Sequence, residues 1–154
     1  ERLACARLLA EASGPDGMVA GQVLDTLRHP STEAELAEVH RLKTGCMIRA
    51  ACVMGCAVAD ASPEMRMAAC AYAEKLGLAF QIRDDMLDVI GTQSELGKAT
   101  GMDGEKNTFV RLYGLEKCEE LVKKYTDYAI SALSAFEDTE YITALAHSLT
   151  TRRV

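Results

Sequence analysis

Residues Phe80–Val89 read FQIRDDMLDV, with three carboxylates, Asp84, Asp85 and Asp88, set inside an otherwise apolar run. On a helix, residues four apart share a face, so Asp84 stacks over Asp88 and Gln81 over Asp85. Like charges at that spacing repel. The repulsion becomes affinity when a hard divalent cation such as Mg²⁺ takes oxygen ligands from one or two carboxylates and completes its shell with water and phosphate oxygens. A carboxylate cluster on a helix is ordinarily a solvated face. Here Leu78, Ala79, Phe80, Ile82, Met86, Leu87, Val89 and Ile90 leave no broad polar face for water. An EF-hand needs a central glycine and a terminal glutamate, and DDMLD has neither. The stretch therefore reads as a helical platform for a metal–diphosphate complex.

Outward from this helix, the periodicity stays helical and strand-like β-branched runs are missing, which makes the chain all-α. Helices are expected over Leu3–Ala12, Asp16–Leu27, Ser31–Ala59, Pro63–Val89, Phe109–Tyr113, Glu116–Phe136 and Thr139–Arg152. The breaks carry their own chemistry. After His29-Pro30, Ser31 or Thr32 can cap the incoming amides, with Glu33 or Glu35 in the first turn. After Asp60, Ser62 is the cap, Pro63 takes the first helical position and Glu64 complements the helix dipole. A loop is expected from Gly91 to Asn107, and loops of that length in compact domains are usually functional or disordered. It leaves the helix just past Asp88, so its lysines, Lys98 and Lys106, can fold back over whatever the carboxylates hold.

Two further constellations stand out. HRLKTG, His40–Gly45, puts Lys43 and Thr44 in mid-helix beside a glycine, at a cost in helix propensity. Lysine contributes a charge, threonine a hydroxyl, and glycine lets a neighbour approach closely. Alone these are a surface lysine and a threonine bonded to its own helix; beside DDMLD they read as part of a site. GMVAGQVLDT, Gly17–Thr26, carries small residues that permit a close helix crossing, followed by Gln22 and Asp25 on one face. Spacing leaves open whether those two bond to neighbours or line a polar cavity.

The 154 residues, 49% hydrophobic, suffice for one compact domain with a real core. No Gly/Ser linker, low-complexity tract or solenoid repeat divides them. A net charge of −6 with no Lys/Arg stripe argues against nucleic-acid binding. The longest apolar stretch, around Ala50–Ala59, is too short to span a bilayer, and no secretion signal is visible, so no stable membrane insertion is expected. Cys5, Cys46, Cys52, Cys56, Cys70 and Cys118 form no CxxC pair and read as small hydrophobes in a reducing cytoplasm. Cys52 and Cys56 share a face but lack the spacing of a zinc site.

The set GQVLD, HRLKTG, FQIRDDMLDVIG, LGK and NTF, in this order, resembles the C-terminal half of the trans-isoprenyl diphosphate synthases, the family containing farnesyl and geranylgeranyl diphosphate synthases. The resemblance covers essentially the whole chain. It implies an isoprenoid synthase helical bundle and head-to-tail prenyl transfer: an allylic diphosphate ionises, isopentenyl diphosphate attacks the cation, and a proton is lost. The barrier is charge separation, met by Mg²⁺ ions and cationic side chains in a dry cavity. Carried over by position, Asp84 and Asp88 ligate one Mg²⁺ and Asp85 supports or hydrates it. Lys43, Lys98 and Lys106 contact diphosphate. Thr44 and Gln81 sit where the cation and the departing proton are handled. Isopentenyl diphosphate and an allylic diphosphate are the implied substrates, farnesyl diphosphate the implied product, and a homodimer the implied assembly.

Two departures accompany the resemblance. The family's first aspartate-rich motif, DDxxD followed by basic residues, does not occur here, and Lys106 follows Asp103 more closely than the family spacing. With a helical pattern already running at Glu1, residues 1–154 are expected to be the C-terminal half of one polyprenyl synthetase domain, inactive by themselves. The alternatives are a noncatalytic partner subunit or relic, a geranylgeranyl or longer-chain synthase, and a terpene cyclase, whose second metal site carries an Asn/Ser/Glu set instead of DDxxD.

Overall fold

The computed structural model describes residues 1–28, 30–96 and 107–153, with backbone alone over 92–96. Every element among them is helical: α1 (Arg2–Ser13), α2 (Met18–Leu27), α3 (Glu33–His40), a π-helical turn (Arg41–Gly45), α4 (Cys46–Val58), α5 (Pro63–Leu96), α6 (Phe109–Ala132), a 3₁₀ turn (Leu133–Ala135) and α7 (Glu140–Thr151).

The starts follow local chemistry. Thr32 forms a full capping box with Glu35 at α3, and Ser62 Oγ accepts the Met65 amide at α5. Two expectations need correction. The helix expected over Ser31–Ala59 is interrupted by the π turn. The helix expected to end at Val89 runs on to Leu96, so residues 91–96 of the expected loop are helical and 97–106 lie outside the described residues. A single Gly91 in a helix costs only about 1 kcal/mol against alanine, and no proline follows to stop the ladder. Lys98 and Lys106 lie outside the described residues. The expected break between Tyr113 and Glu116 is present as a kink at Gly114, whose φ of 77° favours glycine.

α5 is the centre of the bundle, packed on α4, α6, α7 and the π turn. Ala69, Tyr72, Ala73, Leu76, Ala79, Ile82 and Met86 are its buried face, recurring every three or four residues. At one end Ile82 and Met86 meet Leu36 of α3 and Phe109, Cys118 and Val122 of α6. At the other, Tyr72 and Leu76 meet Ala129, Leu133 and Ala146. Tyr72 donates to the Ile142 carbonyl at 3.0 Å and ties α5 to α7. Among the described residues no helix is long and apolar enough to cross a membrane. All six cysteines are free thiols.

Candidate functional site

With Ile82 and Met86 facing the core, a helical period of 3.6 puts Phe80, Gln81, Asp84 and Asp88 on the opposite side of α5. Asp88 is exposed and Asp84 half-exposed. Gln81 donates from Nε2 to Asp84 Oδ2 at 3.3 Å, so its partner is the first aspartate of the motif and not the second. Asp84 Oδ1 meets the Arg152 guanidinium, which also lies over the Phe80 ring, 4.2 Å from its centroid. Sequence reasoning missed Arg152. Its contact joins residues 68 apart, and the only hint was a basic pair after the last helix.

Asp85 turns the other way. Its Oδ2 accepts the Phe109 amide at 3.1 Å, at the first turn of α6, and lies 3.5 Å from His40 Nε2. His40 is buried and stacks on Phe109, ring centroids 5.6 Å apart. Cys118 packs nearby, where burial first and the Asp85 charge second push its thiol up to about 11. Asp85 therefore sits inside the bundle, while Asp84 and Asp88 face outward.

Lys43 and Thr44 lie in the π turn, both half-buried. π turns inside α-helices occur frequently at functional sites. Two close approaches hold it. A Cβ on Gly21 of α2 would stand 2.1 Å from the Lys43 nitrogen, so α2 rests directly on the turn's backbone. A Cβ on Gly77 of α5 would stand 3.1 Å from Gly45 Cα on its other side. The small residues of α2 thus serve close packing. The question left open for Asp25 is answered too: its Oδ2 holds Lys43 Nζ at 2.9 Å. Gln22 bonds within its own helix, to Thr26. Contacts of His40 with Asp85 and of Gly45 with Gly77 run antiparallel, which sets Lys43 and Thr44 alongside the turn of α5 that carries Gln81.

Behind the aspartates, buried Arg83 donates from Nε to the Thr150 carbonyl and from Nη2 to Glu119, each at 2.6 Å. It fixes the end of α7 two residues before Arg152.

The oxygen donors fit Mg²⁺. That ion asks for one or two carboxylates and fills its octahedron with water and phosphate oxygens, and Asp84 and Asp88 are one helical turn apart on an accessible face. Among the described residues no group of three ligating side chains forms an all-protein cage, which Mg²⁺ does not require. A cation already stands at Asp84 in the form of Arg152, whose own Nε is buried without an acceptor. An anion beside a cation at this position would satisfy both.

The polyprenyl synthetase family profile matches residues 1–147. The farnesyl diphosphate synthase of Haemophilus influenzae is 34% identical over 159 aligned positions, covering 99% of this chain and 54% of that protein. An FPP/GFPP synthase structure from Zymomonas mobilis superposes with a TM-score of 0.82 at 33% identity, over 96% of this chain and 50% of that one. A geranyltransferase from Helicobacter pylori, complexed with magnesium and isoprenyl diphosphate, superposes at 0.75 with 29% identity and the same coverage. The chain spans about half the length of the curated relatives it matches. With an all-α bundle that superposes on these enzymes and a profile match along nearly its whole length, the chain belongs to the polyprenyl synthetase family.

Proposed function

We propose that this chain supplies the second metal and diphosphate site of a Mg²⁺-dependent prenyltransferase that joins isopentenyl diphosphate to an allylic diphosphate, with farnesyl diphosphate as product. The observation that carries the reading is the side of α5 on which buried Gln81, half-exposed Asp84 and exposed Asp88 lie beside the π turn bearing Lys43 and Thr44. Asp84 and Asp88 would hold one Mg²⁺. When bound, the ion supplies Lewis-acid stabilisation of the leaving diphosphate.

The chain's own residues do the rest. Lys43, kept in place by Asp25, presents an ammonium to the diphosphate, and Lys98 and Lys106 are proposed to add two more. The Gln81 amide orients the Asp84 carboxylate and, with the Thr44 hydroxyl, offers dipoles to the allylic cation, an electrostatic contribution of the preorganised kind. Asp85, turned inward, supports the metal-bearing turn from behind. The condensation belongs to a longer protein that includes the family's first aspartate-rich motif. By itself the chain binds Mg²⁺ and diphosphate without turnover. A homodimer in the cytoplasm is proposed with it, supported by six free thiols and by the exposed Val19, Val23 and Leu27 along one side of α2.

Titration of the chain with inorganic pyrophosphate and Mg²⁺ by calorimetry tests the site. Mg²⁺-dependent binding that weakens about tenfold or more in Asp84→Ala is expected. Binding that ignores Mg²⁺, or survives that substitution, refutes the assignment. For the parent protein, labelled isopentenyl diphosphate and geranyl diphosphate should yield a C15 product. A parent that binds both and condenses neither would make this a partner subunit.

A further inference from the structure

His40 is the buried polar group that the proposed site does not use. Its side chain is 10% exposed, both ring nitrogens are buried, and neither has a hydrogen-bond partner. A buried donor or acceptor left unmade costs about 1–3 kcal/mol. Packing alone would favour phenylalanine here, since the ring stacks on Phe109 at an interplanar angle of 23°. A histidine with idle nitrogens is therefore explained by what those nitrogens face, and Nε2 faces Asp85 Oδ2 at 3.5 Å. The same Oδ2 accepts the Phe109 amide. Both contacts fall on one oxygen, and Oδ1 takes part in neither.

We infer that His40 is a positioning residue for the metal-bearing turn: its Nε2–H and the Phe109 N–H together grip Asp85 Oδ2 and so fix the setting of the α5 turn from which Asp84 and Asp88 project. This rests on the functional reading above. The grip needs a closing movement of a few tenths of an ångström to reach good hydrogen-bond length, and such bonds commonly tighten when the site fills. An imidazole holding the outer oxygen of a carboxylate is the converse of the carboxylate that orients a metal-bound histidine. In both, the outer partner fixes the direction of the inner one. His40 also ends α3, three residues before Lys43, so one ring ties the diphosphate-binding turn, the aspartate helix and the start of α6.

Two variants separate the nitrogens from the ring. His40→Phe keeps the stack and removes both nitrogens. His40→Gln returns an N–H close to the place of Nε2. The probes are Mn²⁺ with inorganic pyrophosphate, followed by electron paramagnetic resonance, and amide hydrogen exchange at Phe109 in the metal-free chain. His40→Phe is expected to weaken Mn²⁺ binding about tenfold or more and to speed Phe109 exchange about tenfold, with the melting temperature held; His40→Gln recovers most of both. Wild-type Mn²⁺ affinity in His40→Phe overturns the inference, including the case where only the exchange changes, because the contact is then structural. A His40→Gln that behaves as His40→Phe also overturns it. If the wild type binds no Mn²⁺, the functional reading falls and this inference with it. If the wild type binds and His40→Phe binds equally, the functional reading stands and only the role of His40 is lost.

Discussion

Gly21→Ala is the sharpest test of how the site is held together. An exposed helical glycine changed to alanine gains about 1 kcal/mol from helix propensity. At Gly21 the added Cβ would stand 2.1 Å from Lys43 N, 2.5 Å from Lys43 Cα and 2.6 Å from Leu42 C. The first of these is about 1.3 Å short of the 3.4 Å at which ordinary contact begins, and all three neighbours are backbone, so no side chain can swing aside. Helix α2 must retreat by roughly that distance. The Lys43–Asp25 pair, now 2.9 Å, then opens past hydrogen-bond range. Overpacking of this kind costs about 1–3 kcal/mol and the half-exposed ion pair about 0.5 more, against the propensity gain. A net loss of about 0.5–2.5 kcal/mol is expected, read as a lower urea midpoint, together with weaker pyrophosphate binding as Lys43 loses its anchor. Gly55→Ala is the control. It sits on an exposed face of α4 with nothing within 4 Å of its Cβ, and should stabilise by about 0.5–1 kcal/mol. If Gly21→Ala raises the urea midpoint as Gly55→Ala does, α2 does not rest on the π turn and the account of Lys43 is wrong.

The other expectations follow from contacts already described. Arg152→Gln removes the cation lying on Asp84, so Mn²⁺ binding without diphosphate should tighten a few-fold, about 0.5–1 kcal/mol for a half-exposed pair; unchanged affinity would mean that Arg152 and the metal do not compete. Arg83→Met removes the bonds to Thr150 and Glu119 from a buried position and should cost about 1–3 kcal/mol in urea unfolding, whereas a loss under about 0.5 kcal/mol would show that α7 docks without it. Burial pushes the Tyr72 phenol up to about 12 from an ordinary 10. Its folded pKa is raised above the unfolded one, so the stability it contributes is fully present below pH 10 and is lost as pH climbs toward 12. Tyr72→Phe should flatten that part of the unfolding curve, and an unaltered slope in this variant would contradict the assignment.

Much of the fold was legible because its determinants are local. The α5 stripe, the Thr32 capping box, Ser62-Pro63 and the Gly114 kink all act within a few residues of where they stand. The aspartate helix belongs to the same class: Asp84 and Asp88 share a face because of the helix period and nothing else. What stayed hidden depends on partners distant in sequence. Spacing could not say that Asp85 would turn toward His40 and Phe109, because the choice between flanks of α5 is made by α3 and α6. Arg152 reaches Asp84 across 68 residues, and Asp25 reaches Lys43 across 18. The π turn itself left only an indirect mark, a threonine and a glycine where a stable helix would avoid them. Helix α5 outran its expected end because one glycine is a weak stop signal.

The π turn also sets how this stretch can vary by insertion and deletion. Each hydrogen-bonded ring there encloses one residue more than in the flanking α-helices. Deleting a single residue between Arg41 and Gly45 would let α3 and α4 fuse into an ordinary helix, with no gap in the chain and no loop to absorb the change. The wide turn takes up its extra residue locally, so the flanking helices would keep about the same phase, and what the deletion removes is the bulge that displaces Lys43 and Thr44 from the regular helix. His40 could stay against Asp85 and Gly45 against Gly77, while Lys43 and Thr44 lose their placement beside the Gln81 turn of α5. A lineage that shed this residue could retain a sound, well-folded bundle and still lose the alignment of its two ligand-binding motifs, so length conservation across 41–45 is the quantity to compare between active and inactive relatives.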